Sequence, residues 1–160
     1  MISENCNHDH NSKQTPWSDY NTLIVDELAH NSNQVTISMM QIPNCPLVFK
    51  NDPDKHHRSE DSLIAQSWLE FLQDTEHPDW LIHLPMVKAS YQGMRAAQEF
   101  LKEKKIANIK GWTISGASKR GWAAYLVAAT ECTNCPAKVH AMAPVVPIVP
   151  KLTTEVHRQW

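Results

Sequence analysis

The stretch Gly111-Trp112-Thr113-Ile114-Ser115-Gly116-Ala117-Ser118-Lys119-Arg120-Gly121-Trp122 decides the fold: it reads as a strand, a sharp turn centred on a serine, and then a helix. Of the four glycines in the chain, Gly111, Gly116 and Gly121 all fall within it. The residue that tolerates strained backbone and close packing is thus concentrated in one place. A serine nucleophile carried on a strand-to-helix elbow sits in a strained conformation, and small residues must flank it where strand and helix nearly touch. Gly116 and Ala117 meet that demand. The general spacing is G-x-S-x-G, whereas here Gly121 comes one residue late and Arg120 stands in its place. Ser118 is the candidate nucleophile.

Working outward, residues 109–115 are the strand that feeds the elbow, and 120–130 form an alanine-rich helix able to lie close to a sheet. Residues 139–146 are almost wholly apolar, the pattern of a strand covered on both faces. Upstream, Ser18 and Asp19 cap a helix with Leu23, Ile24, Leu28 and Ala29 on one face, stopped by Asn31-Ser32-Asn33. A β-rich run over 35–42 follows and closes at Pro43. After a proline-punctuated loop, Ser59 caps a second helix with Glu60 and Asp61 in its first turn, where the helix dipole favours them. Leu63, Ile64, Trp68, Phe71 and Leu72 form its apolar stripe. A third helix starts near Pro85, runs to about Lys105, and turns Met86, Val87, Met94, Ala97, Phe100 and Leu101 to the core. Helices alternating with strands predict an α/β fold with a parallel sheet.

Composition excludes several functions. With 15 Lys plus Arg against 17 Asp plus Glu there is no basic stripe to neutralise phosphates, so nucleic acid is not an expected partner. No apolar run approaches the ~20 residues that span a bilayer, and Met1 to Asn11 is polar, without the apolar core of a signal peptide. The chain as written is therefore expected in the cytoplasm, with no membrane span. At 160 residues it builds one domain with a real core, burying roughly 70% of the surface of its unfolded form. A polar N-terminal segment (1–17) precedes the domain (18–152), and a tail (153–160) follows it.

Cys6, Cys45, Cys132 and Cys135 are too few and scattered for a disulfide scaffold. Cys132-Thr-Asn-Cys135 could supply two zinc ligands, with His140 a conceivable third, but a structural zinc site takes four. The plainer reading is a helix-to-strand turn, and no metal or cofactor is expected. His8, His10, His56 and His57 lie in polar segments and read as solvated.

Taken together, Gln41-Ile-Pro-Asn-Cys-Pro-Leu47, Arg58-Ser-Glu-Asp61, Leu84-Pro-Met-Val-Lys88, Gly116-Ala-Ser-Lys-Arg-Gly-Trp122 and Ala143-Pro-Val-Val146 resemble the PhoPQ-activated pathogenicity-related protein family, which includes the autocrine proliferation repressor proteins. The resemblance implies an α/β-hydrolase-like, three-layer sandwich with a mostly parallel sheet, present here only in part and lacking its N-terminal and C-terminal strands. It also accounts for the late glycine, since the family's elbow is G-x-S-x-x-G. On this resemblance Ser118 matches the nucleophile, the backbone N–H of Lys119 is one oxyanion donor, and Gly116, Ala117 and Gly121 complete the elbow. Arg58-Ser-Glu-Asp61 and Leu84-Pro-Met-Val-Lys88 receive no catalytic role; helix caps, and Lys88 or Arg58 pairing with carboxylates, describe them.

The departure lies in the acid and base, which hydrolases of this type place on loops after later strands. Neither His140, at the start of the next strand, nor His157 occupies the position of the late histidine. The second oxyanion loop would follow Met1-Ile2, where relatives carry a glycine pair and this chain has Ser3-Glu4. A fragment of a serine hydrolase with little activity alone is one expectation, acting on a small-molecule or ester substrate. A non-catalytic secreted signalling protein with a cell-surface receptor is the other, since full-length relatives are often secreted. With the strand between 35–42 and 109–115 missing, those two must pair directly or leave backbone groups unpaired.

Overall fold

The computed structural model describes residues 20–43, 46–50, 52–130 and 138–146. Along the chain come α1 (Tyr20–Ser32), α2 (Glu60–Gln73), a single 3-10 turn (Pro78–Trp80), α3 (His83–Glu103), β1 (Gly111–Ala117), α4 (Lys119–Ala129) and β2 (Lys138–Val145). The polar start, the four cysteines, the helix cap at Ser18 and Asp19, His8, His10, His157 and the Ser3-Glu4 loop lie outside the described residues.

β1 and β2 pair in parallel, from Gly111 opposite Lys138 to Ala117 opposite Val145, with one irregularity between Trp112 and Thr113. A parallel pair needs a crossover, and α4 provides it by packing on both strands. The alternating pattern thus gives a mixed α/β fold with a parallel sheet. Val87 and Met94 of α3, Ile114 of β1, and Ala124 and Val127 of α4 form the main core, with Tyr91, Trp112, Leu126 and Val139 packed around it. The alanines of α4 admit this close approach. Tyr91 ties the middle of α3 to the end of α4, its hydroxyl donating to the Val127 carbonyl oxygen at 2.7 Å. Ser59 is the N-cap of α2, its N–H donating to Ser62 Oγ at 3.2 Å.

The segment 35–42 is not a strand, contrary to its composition. Its backbone is irregular, with one bridge position at Met39, and it forms no ladder with β1, whose hydrogen-bonded neighbour is β2. Side chains fix it instead. Met39 reaches into the space left by Gly93 of α3, Thr36 Oγ1 donates to the Val25 carbonyl of α1 at 2.8 Å, and Ile42 joins Met86 and Ala123 in a second buried cluster.

β2 is also less covered than its apolar run predicts. Met142, Val145 and Val146 are exposed; among the described residues β2 has β1 as its one hydrogen-bonded neighbour, with α4 packed on the pair. Two further core expectations fail at helix ends. Leu72 at the end of α2 and Phe100 at the end of α3 face outward, beyond the reach of the packed elements, while Leu63, Met86, Val87, Met94 and Leu101 are buried as their spacing predicts. No helix among the described residues is long and apolar enough to cross a membrane.

Candidate functional site

Ser118 lies between the last residue of β1 and the first of α4, with φ 54° and ψ −122°. A side-chain-bearing residue rarely adopts this backbone, and doing so costs about 1–3 kcal/mol, so the surroundings must enforce it. The N–H of Ser118 donates to the Val145 carbonyl at 2.9 Å, and its own carbonyl accepts the N–H of Trp122 at 3.1 Å as α4 begins. Ser115 Oγ donates to the Ala143 carbonyl at 2.7 Å one step earlier, pinning the C-terminal ends of the two strands together.

Gly116 explains how helix and strand come so near. A Cβ built there would lie 2.5 Å from the Arg120 carbonyl oxygen and 2.7 Å from its carbonyl carbon. Both are backbone atoms that cannot swing aside, so any side chain at 116 would push the first turn of α4 away from Ser118. The glycine is needed for close approach here, not for its dihedral freedom.

Arg120, in the place of the ordinary second glycine, is fully buried. Its guanidinium makes a two-pronged pair with Glu60 at the start of α2, Nη1 to Oε2 at 3.0 Å and Nη2 to Oε1 at 2.9 Å, and its Nε donates to the Ile42 carbonyl at 3.0 Å. Lys119 Nζ lies 2.7 Å from Glu60 Oε2 and 3.0 Å from Asp61 Oδ1. Burial alone would raise the Glu60 pKa, but the hydrogen bonds from Arg120 and Lys119 outweigh it and hold the carboxyl down at about 2. Burial would lower the pKa of Lys119, and here too the contacts with Glu60 and Asp61 win and push it up. Lys119 therefore stays an ammonium at neutral pH and is no base for the serine beside it. Its backbone N–H sits at the N-terminal end of α4, where the helix dipole concentrates positive potential.

The segments carrying the resemblance converge on this turn. Ile42 accepts from Arg120, Glu60 and Asp61 hold Lys119 and Arg120, Met86 packs on Ile42 and Ala123, and Ala143 and Val145 receive bonds from Ser115 and Ser118. Arg58 pairs with Asp52. Lys88 is exposed on α3. Asp52, Asp54 and His56 group closely enough to hold a metal ion, but Asp52 is already engaged by Arg58 and by the N–H groups of Asp54 and His56, at 3.0 and 3.2 Å. That cluster closes the loop before α2.

Among the described residues, no side chain is hydrogen-bonded to Ser118 Oγ. His140 is at the wrong end of the sheet. Its imidazole lies 2.7 Å from the position a Gly111 Cβ would take. Gly111 and Ala117 are the two ends of the seven-residue β1, about 20 Å apart at the rise of a β-strand.

A profile of the PhoPQ-activated pathogenicity-related proteins matches residues 1–160. The chain belongs to that family. Autocrine proliferation repressor protein A of Dictyostelium discoideum is 39% identical over 121 residues, which cover 76% of this chain and 24% of that relative. The chain thus spans about a quarter of the length of that relative. No solved structure matches it significantly.

Two features of this PhoPQ-related site escaped the sequence reading, and each had a signal. Lys119 and Arg120 open α4, the end where cations are electrostatically disfavoured, so they demand a carboxylate from elsewhere. His83 stands in the apolar run Leu81-Ile82-His83-Leu84 and is 3% exposed, with both ring nitrogens unbonded. Its ring lies against Trp122, centroids 4.1 Å apart, and Trp122 in turn stacks on Trp68 at 5.9 Å. Burial drops its pKa to about 4, so it is neutral at pH 7.

Proposed function

We propose that Ser118 is the nucleophile of an ester-cleaving, acyl-transfer site, and that this chain supplies the nucleophile-bearing portion of a serine hydrolase. The supporting observation is the backbone of Ser118, φ 54° and ψ −122° at a strand-to-helix junction, the strained geometry that projects a serine Oγ above the end of a sheet. In this reading Oγ attacks the ester carbonyl as its proton passes to a base, the Lys119 N–H stabilises the oxyanion, the alcohol leaves, and water releases the acid from the acyl-serine. The base comes from outside the described residues. Acylation by activated esters is then the expected activity of the chain alone, with slow turnover.

Incubation with p-nitrophenyl acetate tests this by intact mass. One acetyl group per chain should accumulate on the wild type and be absent from Ser118→Ala. Equal acetylation of both proteins would remove Ser118 from the chemistry.

The 39% identity to a protein named as a proliferation repressor favours a second reading, in which the same body is a non-catalytic recognition surface for a cell-surface receptor. A folded wild type that never acylates is the outcome belonging to that reading.

A further inference from the structure

Of the two helices joined by ion pairs at the elbow, α4 begins with an electrostatic conflict and α2 with its remedy. α4 opens with Lys119 and Arg120 at the positive end of its dipole, and α2 opens with the carboxylates of Glu60 and Asp61, which its own positive end favours. The Glu60 carboxylate lies between them and bonds both cations. Glu60 itself has φ 51°, an uncommon conformation for a side-chain-bearing residue at the first position of a helix. Strain at 60 and strain at 118 thus lie at the two ends of one ion-pair network.

We propose that Glu60 is the positioning residue for the Ser118 elbow, its carboxylate clamping Arg120 so that the first turn of α4 cannot swing out and relax Ser118 to an ordinary backbone conformation. This rests on the reading of Ser118 as nucleophile for its chemical meaning, though the clamp itself is a statement about the backbone. The turn is held from three sides. Gly116 lets the Arg120 backbone rest against β1, Val145 accepts the Ser118 N–H, and Glu60 with the Ile42 carbonyl anchors the Arg120 side chain. The first two contacts fix Ser118 and the strand end. The third reaches across 60 residues of sequence and fixes the helix. Without it the buried guanidinium would lose the carboxylate that balances its charge, and movement of the turn that carries it is the route to hydration.

Asp61 supplies an internal control. It bonds the same Lys119 ammonium but is largely exposed and bonds neither Arg120 nor β1. Its loss leaves the guanidinium anchored.

Amide hydrogen exchange on the folded chain tests the clamp whether or not Ser118 is reactive. Glu60→Gln should lower protection of the Ser118 and Trp122 amides roughly tenfold or more relative to Ile114 in β1, whereas Asp61→Asn should leave all three unchanged. A uniform loss across β1 and α4 would show general destabilisation and overturn the proposal, as would unchanged protection at Ser118. In parallel, covalent labelling by an alkyl fluorophosphonate should slow roughly tenfold to hundredfold in Glu60→Gln and stay at the wild-type rate in Asp61→Asn. Wild-type protein that does not label counts against the nucleophile reading, and the exchange result then decides the clamp. A Glu60→Gln protein that labels as fast as the wild type contradicts the clamp alone.

Discussion

Glu60→Ala is expected to destabilise the fold by about 3 kcal/mol, the lower end of what removing one member of a buried ion pair costs. The larger part comes from what stays behind. Arg120 is fully buried and would keep its charge without the carboxylate that balances it, while its Nε stays bonded to the neutral Ile42 carbonyl. Lys119, nearly as buried, would retain Asp61. The reverse change should be milder. In Arg120→Met an apolar side chain of similar length fills the buried space, while Glu60, partly exposed, can hydrate and still bond Lys119. Urea denaturation of both variants measures the asymmetry. Equal losses, or a milder effect for Glu60→Ala, would mean that Arg120 is not held as described. The pair also has a pH signature. Because the folded pKa of Glu60 is depressed to about 2 from an ordinary 4.5, its contribution is complete above pH 4.5 and is lost as pH falls towards 2.

The second large effect lies in a different pH window and belongs to His83. Its imidazole is buried, unbonded and packed on Trp122, which drops the pKa from 6.5 to about 4. Between those values the unfolded chain binds a proton that the folded chain refuses, so stability rises with pH there. Taking the protein from pH 7 to pH 4 should therefore cost about 3 kcal/mol through this residue. His83→Phe keeps an aromatic ring against Trp122 and removes the titration, so its stability should be nearly flat from pH 7 to pH 4.5 while the wild type declines. Parallel curves for the two proteins in that range would show that His83 is hydrated or bonded when folded.

The helices were legible because each carries its own periodicity, and α3 and α4 lie within about two residues of their expected limits. The parallel strand pair was legible for the same local reason: apolar runs flanking an alanine-rich crossover. Long-range accommodation was not legible. Residues 35–42 have strand composition, but no ladder partner among the described residues, and Met39 settles instead over a glycine of α3. β2 looks doubly buried by composition, yet burial depends on what lies on its second face.

The site divides in the same way. Gly116, Ala117 and Ser118 announced the elbow through spacing and residue size. Arg120 was visible only as a misfit in the motif, since the carboxylate that explains it is 60 residues away. The late glycine follows from this. With Arg120 holding the first turn from outside through Glu60, the position after Lys119 is occupied by an anchor, and Gly121 is the next residue buried against the neighbouring elements.

Peptide mapping of the folded chain after treatment with an alkyl fluorophosphonate at neutral pH tests the central claim most directly. The account predicts one adduct, on Ser118, that vanishes in Ser118→Ala although Ser115, Ser59 and Ser62 remain in place. A folded wild-type chain that takes no adduct, or takes it equally on those other serines, would contradict the assignment of the strained elbow to a nucleophile.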